Sequence, residues 1–260
     1  MGAGGHPLYR RGDSAVHRMP AETKIVCLVA CLLAVVAAPR ELVWPYALFA
    51  VIVAAVWWAA RIPPRWALPR MLIEAPFVVL AVLLPFAEGG ERTDVAGVSL
   101  SVAGLYAAWG IVAKGMLGVA AALTVAATTP AAELPGALSR LRVPAVMTSV
   151  LVLMIRYVDL LAAEAGRMRI ARISRGDSPR ALHQAGAVAT GVGALFLRSY
   201  ERGERVHLAM LSRGFDGRAP DLAAVGAPPP ASRGQWAVAL LPAVAAAVVA
   251  AAAWATWAGV

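Results

Sequence analysis

Between Val102 and Thr128 a single charged residue, Lys114, interrupts an otherwise apolar run. Few folded destinations suit such a stretch. About 20 apolar residues in a helix cross the hydrocarbon core of a bilayer, where every backbone polar group must be satisfied internally. Similar runs recur at residues 42–60, 71–87 and 236–258. A shorter run at 25–38 reaches the interfaces with the help of Thr23, Lys24 and Pro39. The chain is 60% hydrophobic and only 15% charged, yet its net charge is +9. Soluble domains carry roughly a quarter of their residues as charges. The charges here are segregated into Arg-rich segments between apolar ones, the pattern of membrane spans and cytosolic loops. The expected fold is all-α: a polytopic integral membrane protein of about five transmembrane helices, with a cytoplasmic or interfacial domain of long helices.

Charge sets the orientation. Arg61, Arg65 and Arg70 lie in a loop without acids, which places it inside. Residues 88–94 hold three acids against Arg92 and can lie outside, whereas residues 164–218 hold ten arginines and five acids and belong in the cytoplasm. Arg10, Arg11, Arg18 and Lys24 before residues 25–38 imitate a signal peptide. Pro39 and the next apolar run argue instead for an uncleaved first helix with its N-terminus inside. Four crossings then return the chain to the cytoplasm near Thr128. The runs 143–155 and 185–197 are short for spans and suit interfacial helices, the first continuing as one helix to about Arg175. Pro130, Pro135 and Pro144 bracket a short amphipathic helix at 136–142, and residues 227–230 and 232–234 read as a linker. The expected divisions are a cytoplasmic tail (1–23), spans one to four (24–128), a cytoplasmic domain (129–218), a linker (219–235) and a final span (236–260).

An internal repeat carries the functional signal. Arg167-Met-Arg-Ile-Ala171-Arg-Ile-Ser174-Arg175-Gly176 aligns without gaps to Arg205-Val-His-Leu-Ala209-Met-Leu-Ser212-Arg213-Gly214. Each copy follows an apolar run and reads as a helix C-terminus, with the glycine supplying a left-handed cap. The arginine before it can project a planar guanidinium into an acidic groove of a partner. Small Ser and Ala one turn earlier admit a crossing helix. The plain alternative is two ordinary cytoplasmic helix ends whose arginines suit the helix dipole.

These stretches resemble the transmembrane T component of energy-coupling factor (ECF) transporters, in its CbiQ-like, cobalt transport branch. Thr128-Thr129-Pro130, the L-S-R-L-R-V-P of residues 138–144, Arg156-Tyr157, Glu164 with Arg167-Met168, and Arg213-Gly-Phe-Asp-Gly217 carry the resemblance further. It implies that residues 129–218 are a coupling domain. Ser174-Arg175-Gly176 and Ser212-Arg213-Gly214 would end two coupling helices and dock paired ATP-binding subunits, with Arg167, Ala171, Arg205 and Ala209 in support. Both motifs carry Ser where the family often has Ala. The implied partners are two ATP-binding subunits and a membrane substrate-binding component. The implied cargo is cobalt, with nickel as an alternative, or vitamins if the chain is a general T component. The chain itself would be a non-catalytic coupling subunit of an ABC importer in the cytoplasmic membrane, without cofactor.

Other residues need separate weighing. Lys114 within a span costs roughly 2.5–3.5 kcal/mol on insertion scales, so it should face the bundle or snorkel. A structural partner, for which Glu74 is a candidate, or a contact to the substrate-binding component would serve. Cys27 and Cys31, at i and i+4, share a helix face where a disulfide is geometrically poor, and read as small apolar contacts. His6, His17, His183 and His207 lack ligand spacing, with His6 and His17 expected in a flexible tail, so no metal site is expected. There is no G-x-x-x-x-G-K-[ST] phosphate loop. A membrane prenyl or lipid transferase would need paired acidic motifs that are missing, a proton-coupled carrier would need buried acids, and membrane tethering with interspersed acids disfavours nucleic acid.

Overall fold

A computed structural model describes residues 8–87, 92–95, 98–176, 185–215 and 229–258. The described chain is helical throughout except for one two-stranded ribbon, so the fold is all-α and the protein is a multi-pass membrane protein. Its described residues fall into two compact units, one formed by residues 8–134 and 229–258, the other by residues 135–215.

Proline and left-handed caps set the boundaries in the first unit. A single turn, α1 (Ala15–Arg18), precedes α2 (Ala21–Ala37). Pro39 holds Ala38 in extended backbone and ends α2 there. Helix α3 (Trp44–Ala60) has Pro45 in its first turn and stops at Arg61, which is left-handed with φ 54° and donates its amide to the carbonyls of Trp57 and Trp58. Next come α4 (Pro64–Met71), a 3₁₀ turn (Leu72–Glu74) and α5 (Ala75–Ala87). Strands β1 (Arg92–Val95) and β2 (Val98–Ser101) pair antiparallel, Arg92 opposite Ser101. Ser101 then caps α6 (Val102–Thr128), its hydroxyl accepting from the Gly104 amide.

The core of this unit is built from small residues. In α10 (Arg233–Ala258), Ala239, Ala243, Ala246, Ala250 and Ala253 form a buried stripe at alternating spacings of four and three, and the helix packs on α2 and α3. Such stripes let backbones approach closely where lipid removes the usual hydrophobic drive for association. Ala34, Val35, Tyr46, Phe49 and Leu117 complete the cluster with Ala246 and Ala250. Helix α6 also packs on α5 so closely that a Cβ on Gly104 would sit 2.7 Å from the Cα of Pro85. Outward, Phe77, Val79, Val82, Leu83 and Phe86 of α5 are more than half exposed, as lipid-facing side chains are. Glu22 of α2 accepts the Ala231 amide, fixing the approach to α10.

The second unit contains most of α7 (Leu134–Arg140), then α8 (Ala145–Ile173) and α9 (Ala185–Leu211). The turn after α7 passes through Arg142, left-handed with φ 62°. Glu164 of α8 ties the two long helices together by accepting from both Arg167 and Arg198 of α9.

Several expectations shift. Among the described residues four stretches are long and apolar enough to cross a membrane: Pro64–Phe86, Val102–Thr128, Ala145–Ile173 and Arg233–Ala258. The expected spans at 25–38 and 42–60 lie in helices of 17 residues each, about 26 Å long against a core of about 30 Å. The run 143–155 does continue as one helix, Ala145–Ile173, close to the expected end at Arg175, but as a 29-residue helix it is long and apolar enough to cross a membrane, where the short run alone was not. Arg233-Gly234, read as linker, form the first turn of α10, where the Ser232 hydroxyl accepts from the Gln235 amide. The loop after residue 87 contains the β-ribbon, which the sequence reading did not anticipate.

Candidate functional site

Helices α8 and α9 end alike. In α8 the amide of Ser174 donates to the carbonyl of Ile170 (3.0 Å), Arg175 to Arg172 (2.9 Å) and Gly176 to Ile173 (3.1 Å). In α9 the amide of Ser212 donates to Leu208, Arg213 to Met210 and Gly214 to Leu211, each at 3.0 Å. These are the same steps in the same register. Gly176 has φ 89° and Gly214 φ 84°, so both glycines take the left-handed conformation that stops the helix.

The serines have a role the sequence did not disclose. The Ser174 hydroxyl donates back to the Ala171 carbonyl (2.9 Å), and the Ser212 hydroxyl to the Ala209 carbonyl (3.0 Å). Each repeat alanine thus presents a last-turn carbonyl that its repeat serine satisfies. Sequence reading placed these residues as small packing surfaces. Both are instead exposed in this chain and self-capped.

Arg175 and Arg213 are exposed, and among the described residues neither guanidinium has an ion-pair partner. The outer arginines of the repeat differ from them. Arg167 bonds Glu164, and Arg205 lies 4.0 Å from Glu201 on the same helix. The repeat therefore separates two internally engaged arginines from two that face outward. Glu164, between Arg167 and Arg198, braces the pair of helices.

Lys114 and Glu74 do not pair. Lys114 Nζ donates to the Val36 carbonyl (2.8 Å), one of the last carbonyls of α2, where the helix dipole favours a cation. Glu74 is buried with its carboxylate against Gly115, and a Cβ there would fall 1.8 Å from Oε1. The proposed partnership fails because α2 offers Lys114 an unfilled carbonyl.

A third cluster was missed altogether. Lys24 is buried, and its Nζ donates to the carbonyl of Thr128 (2.9 Å), to Thr129 Oγ1 (3.3 Å) and to the carbonyl of His17 (3.3 Å). It fastens the end of α6 to the first turns of the chain. His17 is not in a loose tail: Nδ1 lies 2.7 Å from Ser14 Oγ, and Nε2 lies 3.1 Å from the Arg10 carbonyl. Partial burial lowers its pKa from 6.5. The available signal was a lysine opening an apolar run, which reads equally as an interfacial anchor.

The sequence profile of the cobalt transport protein family, CbiQ, matches residues 12–222, which includes both helix ends. This chain belongs to that family. The CbiQ-family protein is 29% identical over 159 residues to the cobalt transport protein CbiQ of Rhodobacter capsulatus, covering 61% of this chain and 63% of that one. It is 32% identical over 101 residues to an uncharacterized protein of Methanocaldococcus jannaschii, covering 39% of this chain and 38% of the relative. A second uncharacterized protein of that organism is 26% identical over 218 residues, 80% of this chain and 74% of its own. The matched stretch thus spans less than two thirds of the first two relatives. Membership makes the CbiQ-family chain a component of a transport system.

Proposed function

We propose that this chain is the non-catalytic transmembrane coupling subunit of an ATP-driven ECF-type importer, with cobalt as cargo. In this reading two ATP-binding subunits dock at the ends of α8 and α9, and their movements pass to a membrane substrate-binding component. One observation supports it above the rest: two helix ends with the same hydrogen-bond register, each presenting an exposed arginine without an internal partner. Two similar ends suit two similar partners, and guanidinium is the side chain suited to bidentate recognition of a carboxylate.

The geometry also suits the transmission of force. Helix α8 is one 29-residue rod, about 44 Å long, so displacement at Arg175 is carried along its length. Glu164, in the second half of α8, accepts from Arg198 at the middle of α9, which links the two helices. In the proposed orientation the N-terminus and both helix ends face the cytoplasm.

The test is co-expression of the tagged chain with candidate ATP-binding and substrate-binding proteins from the same genome, followed by purification from membranes and uptake of labelled cobalt and nickel. Recovery of a complex with two ATP-binding subunits, together with ATP-dependent cobalt uptake, is the expected result. Cobalt uptake by the chain alone, or a complex without ATP-binding subunits, would refute the coupling role. Nickel or vitamin uptake by the full complex would refute the cargo and leave the coupling role standing.

A further inference from the structure

Helix α3 ends in a conformation its sequence disfavours. Arg61 is left-handed although it carries a Cβ, a strain of roughly 1–2 kcal/mol that glycine would escape. A non-glycine residue held there points to a use for its side chain. Arg61 borders a cleft of about 560 Å³ lined chiefly by Arg10, Trp57, Trp58, Arg61, Ile62 and Pro63, with no carboxylate among its described lining residues.

Among the described residues neither Arg10 nor Arg61 has an ion-pair partner, and Asp13, which lines the small neighbouring cavity, pairs with Arg18 at 3.4 Å. The cleft is also held in shape. The Arg10 amide donates to the Ala127 carbonyl (2.9 Å), and its guanidinium lies 5.7 Å from the centre of the Trp66 ring. The Trp57 indole N–H donates to Thr124 Oγ1 (2.7 Å) and to the Ala120 carbonyl (3.2 Å). Trp58, by contrast, is 86% exposed.

Position decides what such a cleft takes. It lies where a continuous apolar helix gives way to an Arg-Pro turn, the level at which tryptophan marks the membrane–water interface. Basic pockets at that level attract anionic lipid headgroups. We infer that this cleft binds the headgroup phosphate of an anionic phospholipid, with Arg10 and Arg61 on the phosphate and Trp57 and Trp58 along the glycerol and first methylenes. The site rests on the membrane reading alone, not on cargo or coupling; the proposed orientation puts it in the cytoplasmic leaflet.

The test uses the full chain, delipidated in mild detergent and titrated with phosphatidylglycerol, phosphatidylcholine or inorganic phosphate. Native mass spectrometry follows bound lipid, and thermal unfolding follows stabilisation. Phosphatidylglycerol should stay bound and raise Tm, and neither of the others should. Arg10→Gln and Arg61→Gln should each weaken phosphatidylglycerol binding about fivefold. Arg61→Gly separates binding from folding: it relieves the left-handed strain, so Tm without lipid should rise while lipid affinity falls. Equal binding of phosphatidylcholine, equal protection by inorganic phosphate, or full phosphatidylglycerol affinity in the Arg10→Gln/Arg61→Gln double variant would each overturn the site.

Discussion

Arg175 and Arg213 offer the sharpest perturbation because folding and coupling should respond differently to their loss. Each side chain is exposed, lacks an ion-pair partner among the described residues, and sits on a helix end that backbone bonds and a left-handed glycine already close. Truncating either to alanine should therefore change stability by no more than about 0.5 kcal/mol. Docking is another matter. A hydrogen-bonded charge buried in an interface typically contributes about 2–5 kcal/mol when truncated, which is roughly 30- to 4,000-fold in affinity. If each end holds its own ATP-binding subunit, the two losses fall on separate contacts and should add. The assay is cobalt uptake with co-purification of the ATP-binding subunits, normalised to membrane abundance, for Arg175→Ala, Arg213→Ala and the double variant. Each single variant should lose most uptake, and the double variant should lose assembly. Arg175→Lys should restore little, since lysine lacks the planar fork. Wild-type uptake with a full complement of ATP-binding subunits in the double variant would refute the reasoning.

Other perturbations test the fold that carries these ends. Lys24→Met leaves the Thr128 carbonyl and the Thr129 hydroxyl without their donor and should destabilise the protein by about 1–3 kcal/mol, read as a lower Tm in detergent. Gly104→Ala drives a Cβ into backbone at Pro85 and should cost about 1–3 kcal/mol, whereas Gly193→Ala, which meets nothing within 4 Å, should be tolerated; thermal unfolding of both variants checks the contrast. Burial lowers the His17 pKa below 6.5, so between the two values the unfolded chain binds the extra proton. Stability from this group is complete above about pH 6.5 and is lost as pH falls below it; His17→Gln should flatten that part of the Tm–pH curve.

Much of the architecture was legible because lipid leaves so few solutions. Charge segregation marked the apolar and Arg-rich stretches, although α8 and α9 each carry both, and the repeat located the left-handed glycine that closes each helix, since only glycine takes φ near 90° without strain. The α8–α9 brace was less visible. Glu164 and Arg198 are far apart in sequence, and no local period announces that they meet. Lys24 was obscured for the same reason: its acceptors lie at residues 128 and 129, and a lysine before an apolar run looks like an ordinary interfacial anchor. The β-ribbon at residues 92–101 was missed because its strands are four residues long, too short for alternation to stand out.

The two units differ in what completes them. In the first, small residues bring helices into backbone contact, and the polar groups of buried Lys24 and half-buried Trp57 find partners within the unit. In the second, α8 exposes Val146, Met147, Val150 and Met154 along its first half, while α9 exposes Val192, Phe196, Leu197 and Tyr200. Apolar surface on this scale requires cover by lipid or protein. Charge distinguishes the two kinds of cover along each helix. The apolar stretches come first, and the arginines gather toward Gly176 and Gly214, where lipid hydrocarbon could not receive them. Each helix therefore needs an apolar environment at one end and an aqueous or acidic one at the other. A membrane component and a soluble partner, met at opposite ends of the same rods, would satisfy both requirements, which is the arrangement a coupling subunit needs.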